Sequence, residues 1–355
     1  MSPDSDTVEL LAVGAAVIAA VALGLTWNAG GGWGRILLRA GTVLACLATT
    51  AAAGLIWVNR QGDFYPTWSS LIGSDAGAAN NAPPTQSAGG RILTFSVNGR
   101  ASKLTMPMFA YVPPGYATDT AMRYPVVEAL HGYPGTPAFW MSKLAATTIL
   151  DREIAAGRMA PTVVLFPYQT PDPSLDTECT NLAHGPQTET FLTEDVPAFA
   201  RTHLRVRTDP SSWGLIGYSA GAYCATNLLL RHPTQYAAGA SLSGYATPGI
   251  PIGDGTERTT YNDSWRLQHL PIPAVALYLA CAKSDLTALR GTQALAKLAR
   301  SPISLTTSYI NGGGHNPQTW EAMEAPAFDW LSTWLGRPLT ATDPVSTPPS
   351  PVKIG

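Results

Sequence analysis

The chain has 355 residues, 45% of them hydrophobic and 13% charged, with a formal net charge of −2. This is enough for one large α/β domain with appendages. No block of Lys and Arg supplies the concentrated basic surface that a phosphate backbone requires, which argues against a nucleic-acid partner.

From the N-terminus, residues 10–27 and 40–58 contain no charged side chain. Each approaches the ~20 residues a helix needs to cross a bilayer, and neither shows the polar face of a surface helix. Gly30, Gly31 and Gly32 form a hinge between them, and Trp27, Trp33 and Trp57 flank the spans where amphipathic rings favour the interface. Residues 1–60 are therefore expected to form a two-helix transmembrane anchor. Asp4, Asp6 and Glu9 precede the first span, while Arg35 and Arg39 mark the connection. By the positive-inside rule the connection is cytoplasmic and both ends lie outside, with Arg60 as a small counter-signal. A second reading makes Arg35 and Arg39 the n-region of a signal peptide, with a cleavage site near residues 50–53. Both readings place the remainder outside the cytoplasm.

Residues 61–90 form a juxtamembrane segment and linker, aromatic to residue 72 and Ala/Asn/Gly/Pro/Ser-rich thereafter. From Arg91, strand and helix patterns alternate. Residues 92–97 and 107–112 read as antiparallel lead-in strands, with Asn98-Gly99 as a turn signal. Residues 126–130, 163–166, 214–216, 238–242 and 274–280 are short apolar runs that suit strands buried on both faces of a parallel sheet, and 304–310 is the last strand. Helical patterns occupy residues 143–156, 189–203, 220–231, 286–299 and 319–335. The alternation predicts an α/β fold with a mostly parallel central sheet over residues 91–335. Residues 336–355 are Pro/Thr/Ser-rich and read as a disordered tail.

The most informative stretch is Gly217-Tyr218-Ser219-Ala220-Gly221, a G-x-S-x-G pentapeptide between an apolar run and a helical one. A strand, a sharp turn and a helix are the context of the nucleophile elbow of an α/β-hydrolase. The turn pushes the serine Oγ out of the sheet, and the helix aims its positive N-terminal end at a developing oxyanion. Serine needs a base, and the base needs an acid to hold its tautomer. In this fold the chain order is Ser, acid, His. Of six histidines, His269 and His315 follow Ser219 at a fitting distance. His315 is preferred, because glycines 312–314 after the last strand let a loop fold back to the elbow. Asp285, just past the 274–280 strand, is the expected acid and also a fit N-cap for the following helix, with Asp263 and Glu257 in reserve. One oxyanion N–H is Ala220; the other comes from the His131-Gly132-Tyr133-Pro134 loop. Pro134 has no N–H, so Tyr133 is the expected donor and Gly132 the alternative.

These motifs, together with residues 189–197, Ser241-Leu242-Ser243-Gly244, and Gly313-Gly314-His315-Asn316 followed by Trp320, resemble the putative esterase family of α/β-hydrolases. That family includes esterase D-type enzymes, feruloyl esterases and secreted mycolyltransferases. The resemblance covers residues 91–335 and implies nucleophile Ser219, base His315, acid Asp285, and oxyanion donors Tyr133 and Ala220. Mycolyltransferases carry a tryptophan shortly after the histidine, where this chain has Pro317, and typically use Glu as the acid; both features separate the chain from them.

Cys46 lies in a span, and Cys179, Cys224 and Cys281 lie in the domain, so a disulfide there leaves one thiol over. Buried free thiols are the alternative. Similar bacterial esterases carry cysteines at both positions, which implies a Cys179–Cys224 bridge bracing the elbow helix. Asp172, Asp176 and Glu178 match no EF-hand spacing and read as a solvated acidic loop, with no metal implied. Phe139 and Trp140 are open between an acyl pocket and core packing.

The sequence thus predicts a membrane-anchored, extracytoplasmic serine esterase that acts through an acyl-enzyme on small-molecule or lipid esters without a cofactor. Acyl transfer to a sugar or lipid hydroxyl uses the same triad. A non-catalytic envelope-binding protein on a hydrolase scaffold is the alternative from another class.

Overall fold

The computed structural model describes residues 5–62 and 89–340. Most of the expected linker, and the expected tail beyond residue 340, lie outside the described residues. The chain forms two compact units, Met1–Ala78 and Ala79–Gly355.

In the first unit, α1 (Asp6–Thr26) and α2 (Gly32–Gly62) pair as a helical hairpin. Ser5 caps α1 by accepting from the Val8 N–H. Arg39 closes the connection, donating from Nε to the Trp27 carbonyl at 2.7 Å and lying over the Trp27 ring. Both helices are long and apolar enough to cross a membrane, with mean hydropathies of 2.4 and 1.8. Leu10, Ile18, Leu25, Leu37, Leu44 and Leu55 stand exposed, unlike the side chains of a buried core helix.

The second unit is built on an eight-stranded sheet of β1 (Arg91–Asn98), β2 (Thr105–Val112), β4 (Val126–Leu130), β5 (Val163–Pro167), β6 (Trp213–Tyr218), β7 (Ala238–Leu242), β8 (Ala276–Ala282) and β9 (Ser304–Ile310). Their order across the sheet is β1-β2-β5-β4-β6-β7-β8-β9. β1 and β2 are antiparallel to each other, and β2 is antiparallel to β5; all remaining pairs are parallel. Alternation along one strand feeds two cores. Val126 and Leu130 of β4 join the core on one face, Val127 and Ala129 the core on the other. Such strands read as unbroken apolar runs because neither face meets water.

Several boundaries differ from the sequence reading for identifiable reasons. β8 begins two residues later than expected and runs to Ala282, because Ala274 and Val275 still belong to the approach to the sheet. The expected 189–203 helix is interrupted by a π-helical segment, Phe191–Asp195, before the helix Val196–His203. Pro197 has no N–H to continue the ladder, so the turn widens. The helix Asp263–His269, capped by Asn262, was not expected. Residues 336–340 are folded: Leu339–Thr340 (β10) pairs with Met122–Arg123 (β3), and the Arg337 carbonyl accepts from Arg207. Two-residue strands paired across two hundred positions leave no local signal. Phe139 and Trp140 are 4% and 0% exposed and pack into the core.

Candidate active site

Tyr133, Ser219, Asp285 and His315 each lie just beyond the C-terminal end of a parallel strand, the edge at which open α/β sheets place ligands. Ser219 follows β6 and opens the helix Ala220–Arg231. Its φ of +55° lies in the left-handed region, which a non-glycine residue tolerates only when its surroundings enforce it. The flanking glycines show what enforces it. A Cβ on Gly217 would fall 2.0 Å from the Gly221 carbonyl oxygen, and one on Gly221 would fall 2.1 Å from the Leu130 carbonyl oxygen. The spacing is thus a steric requirement: two backbone segments press on the turn where side chains would stand. The Ser219 N–H donates to the Leu242 carbonyl at 3.0 Å, tying the turn to the end of β7.

The Ser219 hydroxyl lies 2.7 Å from His315 Nε2, and His315 Nδ1 lies 2.6 Å from Asp285 Oδ2. The carboxylate can only accept, so Nδ1–H donates to Asp285 and Nε2 is free to accept from the serine. Asp285 is buried; its Oδ1 accepts from the Ala288 N–H at 3.2 Å, so it also caps the helix Leu286–Leu298. His315 reaches the elbow because Gly312 and Gly313 adopt φ of +75° and +88°. Thr319 Oγ1 accepts from the Gly314 N–H, and Asn316 caps the helix Pro317–Trp334. The imidazole stands edge-on to Trp320, with ring centroids 5.1 Å apart, and Trp320 stacks on Tyr218 at 4.8 Å.

The reserve residues lie elsewhere. Asp263 is buried and accepts from Asn227, Glu257 accepts from the Ile252 N–H, and His269 sits exposed on Trp265. Tyr133 and Ala220 line one small pocket. Among the described residues, neither main-chain N–H donates to a protein acceptor. Gly132 lies close to Ser219: a Cβ there would stand 3.2 Å from the Ser219 Cβ. The helix behind Ser219 adds its positive end to this corner.

One support of the site was missed, and the expected disulfide is present beside it. Gln169 brackets the His131 backbone, its Oε1 accepting from the N–H and its Nε2 donating to the carbonyl at 3.0 Å. It stands beyond β5, which neighbours β4, an adjacency no sequence motif declares. The Cys179–Cys224 disulfide lies beneath it and links the loop before Thr188 to the elbow helix; Cys281 is a buried free thiol. The expectation of a solvated acidic loop fails at Glu178, which is 7% exposed and accepts from the Tyr245 hydroxyl. Burial, reinforced by Asp176, pushes its carboxyl well above the usual range.

The fold and this edge of the sheet define an α/β-hydrolase. Residues 100–338 match the model of the family described as "Putative esterase", and the chain belongs to that family of hydrolases. An uncharacterized protein of Corynebacterium glutamicum is 25% identical over 324 residues, 84% of this chain and 76% of that protein. Among solved structures, a ferulic acid esterase superposes with a TM-score of 0.61 at 17% identity, covering 69% of this chain and 99% of its own. An S-formylglutathione hydrolase from Agrobacterium tumefaciens gives 0.60 at 19% identity, covering 72% and 100%. A fluorophosphonate-binding serine hydrolase of Staphylococcus aureus gives 0.56 at 15% identity, covering 68% and 98%. At these identities the likeness is one of fold.

Proposed function

We propose that the protein is a membrane-anchored serine esterase whose catalytic unit works outside the cytoplasm. The observation that carries this reading is the unbroken hydrogen-bonded line from Ser219 through His315 to Asp285. Ser219 Oγ attacks the ester carbonyl as its proton passes to His315 Nε2, and Asp285 holds the resulting imidazolium. The Ala220 and Tyr133 N–H groups receive the oxyanion; one such donor is commonly worth about 10²–10³ in rate. The alcohol departs with the proton from His315. Water, deprotonated by the same imidazole, then attacks the acyl-enzyme, which releases the carboxylic acid and returns the proton to Ser219.

Both helices of the hairpin serve as anchor, with Arg35 and Arg39 on the cytoplasmic side. The disulfide supports an oxidising compartment for the second unit. Hydrolysis of short-chain phenyl esters by the purified full-length protein tests the reading. Turnover that disappears in Ser219→Ala supports it, and turnover that survives the substitution refutes it.

A further inference from the structure

The pocket that Tyr133 and Ala220 line is also lined by His131, Gln169, Asp176 and Glu178. Two of its polar groups are buried and incompletely bonded. Glu178 is 7% exposed; Oε1 accepts from the Tyr245 hydroxyl, whereas Oε2 has no partner among the described residues. His131 is 2% exposed; Nδ1 lies 2.8 Å from the Gly132 carbonyl oxygen, whereas Nε2 has no partner among the described residues. Native proteins rarely leave such groups unsatisfied, and those that do usually serve a ligand or an ordered water.

The protonation of both groups follows from their neighbours. A carbonyl oxygen only accepts, so His131 carries its proton on Nδ1 and shows a lone pair at Nε2. Burial holds this imidazole neutral, with its pKa lowered to about 4. Burial likewise favours the neutral Glu178 carboxyl. Tyr245 already donates to Oε1, so the carboxyl proton sits on Oε2. The two pocket-lining side chains therefore carry one free O–H donor and one free nitrogen acceptor, both uncharged. A hydroxyl satisfies the pair, because it accepts from one and donates to the other. A carbonyl would leave His131 unsatisfied, and an ammonium would leave the Glu178 proton unsatisfied.

The loop holding Glu178 is fixed with respect to the nucleophile. Glu178 and the adjacent Cys179 adopt φ of +44° and +54°, and Cys179 is bonded to Cys224 on the elbow helix. On the esterase reading above, we propose that Glu178 and His131 form a hydroxyl-recognition subsite beside the oxyanion donors, selecting esters that bear a free hydroxyl next to the scissile group.

The test compares kcat/KM of the full-length protein on two pairs, each corrected by the hydroxide-catalysed rates of the same compounds. Phenyl glycolate against phenyl acetate places the hydroxyl on the acyl side. Ethylene glycol monoacetate against ethyl acetate places it on the alcohol side. At least one pair is expected to favour the hydroxylated ester by about tenfold or more. Glu178→Leu should bring that ratio close to one, and Glu178→Gln, which keeps a neutral donor, should retain most of it. Fluorophosphonate labelling of Ser219 reports whether each variant still assembles its site. A wild-type ratio near one on both pairs overturns the subsite, whatever the variants do. So does an unchanged ratio in Glu178→Leu, or a stronger preference for a trimethylammonium ester. A wild type that labels but shows no preference sinks the subsite alone; one that neither labels nor hydrolyses sinks the esterase reading with it.

Discussion

Replacing Gly221 by alanine tests the packing that creates the elbow without touching a reacting group. The new Cβ would lie 2.1 Å from the Leu130 carbonyl oxygen, 2.5 Å from its carbon and 2.6 Å from the His131 carbonyl oxygen. Ordinary contact begins at 3.4 Å, and all three neighbours are backbone. No side chain can swing aside, so the elbow and the oxyanion loop must part by on the order of 1 Å. A misplacement of that size costs about 10² in rate when the reacting groups are otherwise intact. The strain itself should cost about 1–3 kcal/mol of stability, or more, and a domain of this size loses about 2–4 °C of Tm per kcal/mol. Gly221→Ala is therefore expected to lose roughly two orders of magnitude in kcat and several degrees in Tm, measured by ester hydrolysis and thermal unfolding. A variant with wild-type kcat and Tm would refute the close approach between the elbow and the end of β4.

Two further substitutions separate roles that the structure combines in one residue or hides in the core. Asp285→Asn keeps an oxygen for the Ala288 N–H but mis-sets the His315 tautomer, so kcat should fall by about 10⁴ while Tm stays within a degree or two; a parallel loss of both would assign Asp285 to capping alone. Glu128 is fully buried in β4, accepts from Tyr236 at 3.1 Å, and has its pKa pushed up to about 8 by burial. The folded state therefore keeps a proton that the unfolded chain releases above about pH 4.5. This group's contribution to stability is complete at low pH and is lost as pH rises towards 8, at up to about 1.4 kcal/mol per unit for one proton. Glu128→Gln, neutral at every pH, should gain stability over wild type as pH goes from 5 to 8; a pH-independent Tm difference would contradict the buried, protonated carboxyl.

The readable parts of the site were those in which chemistry or sterics constrain a short segment. Gly217 and Gly221 are legible because side chains there would overlap backbone. His315 is legible because glycines must precede it for the loop to return, and Asp285 because chain order and capping both point to it. The supports of these residues are not local. Gln169 reaches His131 only because β5 neighbours β4, and the sheet order is set by packing along the whole chain. Glu178 resembles a solvated acid in sequence, and only the bridge from Cys179 to the elbow helix and the cover of Tyr245 show it to be buried. The β3–β10 pair and the π-helical turn at Phe191–Asp195 were invisible because two-residue pairings and single-turn widenings carry no periodicity.

On the esterase reading, Ser219 is the nucleophile and His315 activates it. Treating the full-length protein with a fluorophosphonate and mapping the adduct by peptide mass spectrometry tests it most directly. A single adduct on Ser219 is expected, absent in Ser219→Ala and formed much more slowly in His315→Ala. An unlabelled wild type, or an adduct on another serine that persists in Ser219→Ala, would contradict it.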